Sequence, residues 1–410
     1  MPLQSDVRKT ATTVPLKGIR VLDLTNVLAG PFCCHQLAHF GADVVKIEVP
    51  GSGDLARQLG ADAELNRKLM GVSFLAQNSG KRSMTLNLKS VKGKAIFRQM
   101  VETADVVVEN FRPGVMDRLD LGFETLKCIN PKLVYCAISG FGQDGPLNDL
   151  PAYDQIIQGM SGVMSITGHQ QTAPCRVGYP VADTIGGMTA AFAVAAALAP
   201  GEMRSATFID VSMLEATLAS MGWIVSNYLI AGKTPEPMGN DNFSASPSGT
   251  FITGDGPINI AANKQEQFES LCRVVGKENI ATDPRFAKRR DRLQRRSELN
   301  GILEDALKVR PAAEWVDLLS AAGVPAGLVN SVPEVLAQPQ IADRGMLGTF
   351  SNVPGVDRDI QLVRTGTKVN GTAPAVDTPP PQLGQHTDAL LAELGLSLAE
   401  IEELKRENVV

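Results

Sequence analysis

Lys17-Gly-Ile-Arg-Val-Leu-Asp-Leu-Thr25, the apolar stretch 31–39 and Gly41-Ala-Asp-Val-Val-Lys-Ile-Glu48 together decide the fold. The two outer runs are short and rich in Val, Ile and Leu, as expected of strands buried on both faces. Between them Gly30-Pro31 turns the chain into a helix that ends near His39. Strand, helix and strand so closely spaced form a βαβ unit, which predicts a parallel, doubly wound sheet. The pattern recurs downstream. A helix over 91–102 precedes the strand Ala104-Asp-Val-Val-Val-Glu109, and a helix over 114–119 precedes Lys132-Leu-Val-Tyr-Cys-Ala-Ile-Ser139. An alanine-rich helix then leads to the strand Ala206-Thr-Phe-Ile-Asp-Val-Ser212 and a long helix over 213–229.

A chain of 410 residues exceeds one ordinary core, so two or three domains are expected. Its 44% hydrophobic and 20% charged residues suit a soluble enzyme and exclude a disordered or fibrous chain. A net charge of −5 gives no footprint for nucleic acid. The densest basic run, 285–296, lacks interleaved aromatics and reads as a solvated helix face. The longest apolar run, 190–199, is enough for a buried helix and too short to cross a membrane. Residues 1–15 lack the apolar core of a signal peptide and read as a short disordered leader.

Six cysteines without a C-x-x-C pair point to a reducing cytoplasm. His35 and His39 share a helix face but lack the Glu of H-E-x-x-H, so no metal site is expected. Composition turns polar and rich in Gly, Pro and Asn over 231–248, where a linker or loop is expected. Beyond it come a hairpin around Asp255-Gly256 and helices over 264–275, 292–308 and 312–322. The expected division is a large domain from 16–215 with 335–410, a linker over 216–248 and a small α+β domain over 249–334.

Between Arg176 and Glu202 the only charged side chain is Asp183. A carboxylate in such apolar surroundings is costly to ionise. It reads equally as the N-cap of the following helix or as a reactive group, and Gly186-Gly187 would permit a close approach there. Glu48 stands where a Rossmann protein binds ribose, but the glycine fingerprint is absent, which argues against NAD. Neither a P-loop nor Gly-x-Ser-x-Gly occurs.

An ordered set of segments resembles one family, the class III coenzyme A transferases of the CaiB/BaiF type. They include Ala29-Gly-Pro, Gly51-Ser-Gly-Asp, Asn78-Ser-Gly-Lys-Arg-Ser-Met-Thr-Leu-Asn-Leu-Lys89 and Glu109-Asn-Phe-Arg-Pro-Gly114. Ser139-Gly-Phe-Gly-Gln-Asp-Gly-Pro146, Ala152-Tyr-Asp154, the Asp183 segment and Gly384-Gln-His-Thr387 complete it. The likeness runs from about Leu16 to the C-terminus, through both βαβ strands.

The resemblance implies an α/β fold with a Rossmann-like large domain, built from N- and C-terminal segments, and a small α+β domain. It implies an interlocked, ring-like homodimer. Coenzyme A and acyl-CoA are substrates, with no permanently bound cofactor. Asp183 falls on the catalytic aspartate, which passes through a mixed anhydride and an aspartyl-CoA thioester. CoA contacts carry over to Val27, Leu28, Ala29, Leu86, Asn87, Leu88, Lys89, Asn110, Phe111, Arg112, Arg118 and Tyr153. Lys89 and Arg118 would hold phosphates, surface salt pairing being the alternative. Two basic contacts of formyl-CoA transferases are missing at Val49 and Pro151, and Leu28 replaces a glutamine, which speaks against formate/oxalate exchange. The pattern is most similar to members using succinyl-CoA and another dicarboxylic acid, with Arg112 and Arg176 as candidate partners of a distal carboxylate, structural salt bridges being the equal alternative for both. Related racemases carry a histidine base where this chain has Tyr153, a poorer base near pH 7. An acyl-CoA racemase or isomerase and a non-catalytic CoA- or nucleotide-binding protein stay open as alternatives.

Overall fold

The structure is a computed structural model that describes residues 14–410, so the first thirteen positions of the expected leader lie outside the described residues. The N-terminal βαβ unit forms as β1 (Arg20–Asp23), α1 (Ala29–His39) and β2 (Asp43–Glu48). β3 (Lys81–Thr85), α2 (Val91–Val101), β4 (Val106–Glu109), α3 (Phe123–Ile129) and β5 (Val134–Ser139) follow. Next come α4 (Asp154–Met160), α5 (Val181–Leu198), β6 (Thr207–Ser212), α6 (Met213–Ser220) and α7 (Gly222–Ala231). The six strands pair in parallel, in the order β3-β2-β1-β4-β5-β6. That is the doubly wound order, whose direction reverses between β1 and β4.

Alternate residues of each strand feed the two faces of the sheet. Leu22, Val45, Val107 and Tyr135 point to a core closed by Phe97, Met100 and Leu126. Val21, Val44, Val106, Val108 and Cys136 point to the other, closed by Cys33, Leu37, Ala190 and Val194. Burial on both faces explains why these strands read as continuous apolar runs. The C-terminal segment joins this unit: His386 N donates to Ser83 O, and Thr85 N to Thr387 Oγ1, along the edge strand β3.

The chain divides into two compact units, the first holding Val177–Ala231 and Pro339–Val410 with the N-terminal half. The second comprises Met164–Arg176 and Gly232–Gln338. Sequence reading assigns Met164–Arg176 to the large domain. Contacts group it with the second unit, where Gly239 N donates to Gly168 O at 2.7 Å. This unit carries the hairpin β7 (Ser248–Ile252) and β8 (Pro257–Ala261), joined by a third antiparallel strand, β9 (Ala326–Leu328). Phe251, Phe268, Leu303 and Trp315 fill its core.

Three expectations need correction. The helix expected over 213–229 is two helices, α6 and α7, separated at Met221 just before the helix-weakening Gly222. The basic run is only partly a solvated face: Arg292 is buried, stacks on Phe268 at 4.2 Å and donates to the carbonyls of Ser246 and Phe286. A guanidinium with five fixed donors can satisfy several loop carbonyls at once, which is why it tolerates burial there. Third, α5 is 18 residues long with mean hydropathy 1.6, enough in length and composition to cross a membrane. It packs within the first unit, with Gly186, Gly187, Ala190 and Val194 buried.

Candidate active site

The strands of the first unit end on one edge of the sheet, and the turns after β1 and β4 meet where the strand order reverses. In sheets of this kind ligands bind at such a switch point. Here the turn after β1 is held from several sides. Lys81 Nζ reaches Asp23 Oδ2 and Pro31 O, both at 2.9 Å. Asp23 Oδ1 accepts from Thr25 N at 2.9 Å. Asn26 and Asn110 clamp the two turns reciprocally: Asn26 N donates to Asn110 Oδ1 at 2.8 Å, and Asn110 Nδ2 to Asn26 O at 2.9 Å. Glu109, at the end of β4, accepts from Phe111 N at 2.7 Å. Burial pushes its carboxyl up to about 8, against the pull of that hydrogen bond.

The opposite wall is the first turn of α5. Pro180 occupies its N-cap, so Asp183 lies in the first turn and is not the capping residue. The amide of Ala182 is satisfied by Asp154 Oδ1 at 2.9 Å. Gln158 secures the arrangement, donating to Asp154 Oδ2 at 2.7 Å and accepting from Val177 N at 2.9 Å. Gly187 allows the approach read from the sequence: a Cβ there would lie 2.4 Å from Ala29 O. Asp183 is half-buried and has no cationic neighbour among the described residues. Burial, and then the Asp154 carboxylate, push its carboxyl up to about 7.

These walls enclose a pocket of about 250 Å³. Val27, Leu28, Ala29, Asn110, Phe111, Arg112, Tyr153 and Asp183 all line it, with Asn148 and Met213. Tyr153 stands 67% exposed at its mouth. Arg118 lines a neighbouring cavity of about 560 Å³ that shares Pro113 and Asn148 with the first. Leu86, Asn87, Leu88 and Lys89 lie outside both, on the turn after β3, where Asn87 N donates to Val409 O. Lys89, Arg112 and Arg118 make no ion pair among the described residues, so the salt pairing weighed for them is not seen. Arg176 falls in the second unit. Sequence reasoning missed Asp54, Lys46, Glu109 and Gln158: Asp54 and Gln158 meet the amides of Val27 and Val177 well along the chain, and the burial of Lys46 and Glu109 comes only with the fold.

The turns of a doubly wound sheet closing on a lone carboxylate, with no glycine fingerprint, match what comparison with known proteins finds. The profile of CoA-transferase family III matches residues 16–387. The chain belongs to CoA-transferase family III. This CoA-transferase is 40% identical over 392 residues to the succinate–glutarate CoA-transferase of Agrobacterium fabrum, covering 93% of this chain and 96% of that one. It is 43% identical over 335 residues to the acetyl-CoA:oxalate CoA-transferase of Acetobacter aceti, covering 81% and 85%. Among solved structures, a CaiB/BaiF family protein from Brucella suis superposes with a TM-score of 0.80 at 34% identity. That match covers 93% of this chain and 99% of the other. As a member of the family, this CoA-transferase takes CoA thioesters as substrates.

Proposed function

We propose that this chain transfers CoA from an acyl-CoA donor, succinyl-CoA among them, to a dicarboxylic acid acceptor, with Asp183 as covalent nucleophile. The observation that carries the reading is a half-buried carboxylate with no cationic partner among the described residues, opposite the turn 26–29 at the switch point of the sheet. In the first step an Asp183 oxygen adds to the thioester carbonyl, the C–S bond breaks, and an aspartyl mixed anhydride and CoA thiolate result. The thiolate attacks the aspartyl carbonyl, the donor acid leaves as its carboxylate, and Asp183 carries CoA as a thioester. An acceptor carboxylate then displaces CoA, and the thiolate attacks the acceptor carbonyl of the second anhydride, freeing Asp183. Each step exchanges one anion for another, so no general base is required. Splitting the exchange this way replaces one difficult step by easier ones.

The surroundings support that chemistry. A partly desolvated carboxylate is a stronger nucleophile than a hydrated one, and a small pocket limits hydrolysis of the anhydride. Arg112, at the pocket and without an ion pair among the described residues, offers the bidentate geometry that carboxylates and phosphates accept. Arg118 and Lys89, likewise without an ion pair among the described residues, would serve the nucleotide phosphates. The acceptor is proposed from relatives, whose names pair succinyl-CoA with glutarate, D-citramalate and mesaconate. The relative named for oxalate is 43% identical, so oxalate belongs among the acids tried despite Leu28, Val49 and Pro151. We further propose the homodimer, interlocked as in the family. Exposed apolar side chains on α5 and α7, Phe192, Trp223 and Ile230 among them, support a partner surface.

The test is an exchange screen. Succinyl-CoA is offered with glutarate, oxalate, mesaconate and citramalate in turn, and the CoA esters are read by mass spectrometry. At least one new dicarboxyl-CoA is expected. Deuterium entering the α-carbon of a branched acyl-CoA without any acceptor would instead indicate a racemase, and no product in either assay would leave a binding protein.

A further inference from the structure

Val27 is the residue at which the chain turns from β1 toward α1, and its φ is +67°. A β-branched residue in the left-handed region is a true outlier, held only where its surroundings over-determine it. Here two buried side chains from outside the pocket do so. Asp54 Oδ1 accepts from Val27 N at 2.9 Å and also from Ala56 N at 2.9 Å. Its Oδ2 lies 2.9 Å from Lys46 Nζ, and both side chains are fully buried. Lys46 Nζ in turn donates to Thr25 O at 2.7 Å. The pair therefore grips the turn at Thr25 and again at Val27. Asp23 with Lys81, and Glu48 with Arg57, are buried ion pairs close by. Removing Lys46 and Asp54 together would keep the remaining charges balanced.

We propose that the Lys46–Asp54 pair is a positioning unit that holds the Val27 backbone left-handed, so that Leu28 and Ala29 form the wall facing Asp183. This deepens the proposed function, since it rests on reading the pocket as the acyl-CoA site. Neither residue lines the pocket, so an effect on ligand would pass through the turn. A buried ion pair can be exchanged for apolar residues of similar volume with little loss of stability. The functional cost is thus separable from the folding cost.

The experiment compares the full chain with the Lys46→Met/Asp54→Leu variant and with that variant carrying Val27→Gly as well. Free CoA is titrated by calorimetry, and amide deuterium exchange is followed over residues 24–32. The double variant should keep a cooperative thermal transition, bind CoA about tenfold more weakly and exchange faster over 24–32, on the scale set by left-handed backbone at a residue with a Cβ. Val27→Gly should recover part of that affinity, because glycine adopts the conformation unaided. Unchanged affinity and exchange in the double variant, or no recovery with Val27→Gly, would overturn the proposal. If the double variant does not fold, Asp54→Asn reads the same two quantities, with the same direction expected. A wild-type chain that binds no CoA would count against the pocket assignment, and exchange over 24–32 would still decide whether the pair holds the turn.

Discussion

Asp183 is set apart by what does not touch it. Burial and the Asp154 carboxylate raise its proton affinity, and no cation among the described residues offsets the cost of its charge. The penalty has a sign that can be measured. A carboxyl whose folded pKa is about 7 instead of the usual value near 4 destabilises the fold as pH rises between those values, and fully above them. Asp183→Asn should therefore stabilise the protein more at pH 8 than at pH 5. The difference, read from denaturant unfolding, is expected at about 2 kcal/mol. An equal effect at both pH values would show that the carboxylate is not strained. Asp183→Ala should lose transfer by at least about a thousandfold while CoA affinity changes little, as for loss of a nucleophile.

The residue scale also shows what sequence can reveal. Asp183 was legible because one charge among apolar neighbours stands out, although cap and nucleophile could not be told apart from the residues alone. The structure excludes the cap, since Pro180 holds that position and Asp154 satisfies the helix amide. Asp54 and Lys46 were not legible as partners. Within a chain, Lys46 in an apolar strand looks like a snorkelling side chain and Asp54 like a loop residue. Only the fold brings Asp54 to the amide of Val27.

Among the elements, α5 carries the site because two glycines let it settle against its neighbours. Gly187 faces Ala29 O, and a Cβ on Gly186 would lie 2.9 Å from Met213 Cγ. Gly187→Ala must push α5 away from the turn before α1 or distort it. Overpacking of this sort costs about 1–3 kcal/mol. A displacement of even 1 Å at a reacting group can cost about a hundredfold in rate. The expected result is a lowered melting temperature with kcat reduced far more than CoA affinity, measured by thermal unfolding and exchange kinetics. A Gly187→Ala enzyme with normal kcat would show that the close approach is dispensable. The βαβ elements were legible because continuous apolar runs and glycine boundaries are local signals. The break at Met221 and the short strand β9 were not, since tertiary packing decides them.

At the scale of the whole molecule, the open question is what covers the apolar side chains of α5 and α7. Phe192, Trp223 and Ile230 are 75%, 73% and 86% exposed, and large apolar side chains left this open are what a partner surface would use. A homodimer should give light-scattering masses of two chains at all practical concentrations. If the two rings are threaded, mixing tagged and untagged dimers should yield no hybrid until the chains are unfolded and refolded together. Ready hybrid formation under native conditions would contradict the interlock, and a monomeric mass would contradict the dimer.

Trapping shows whether Asp183 becomes covalently acylated. The enzyme is incubated with succinyl-CoA and hydroxylamine, without acceptor, and its peptides are sequenced by mass spectrometry. A hydroxamate on Asp183 that forms only when the thioester is present is the expected result. A hydroxamate on another residue, or none in an enzyme that still turns over, would contradict it.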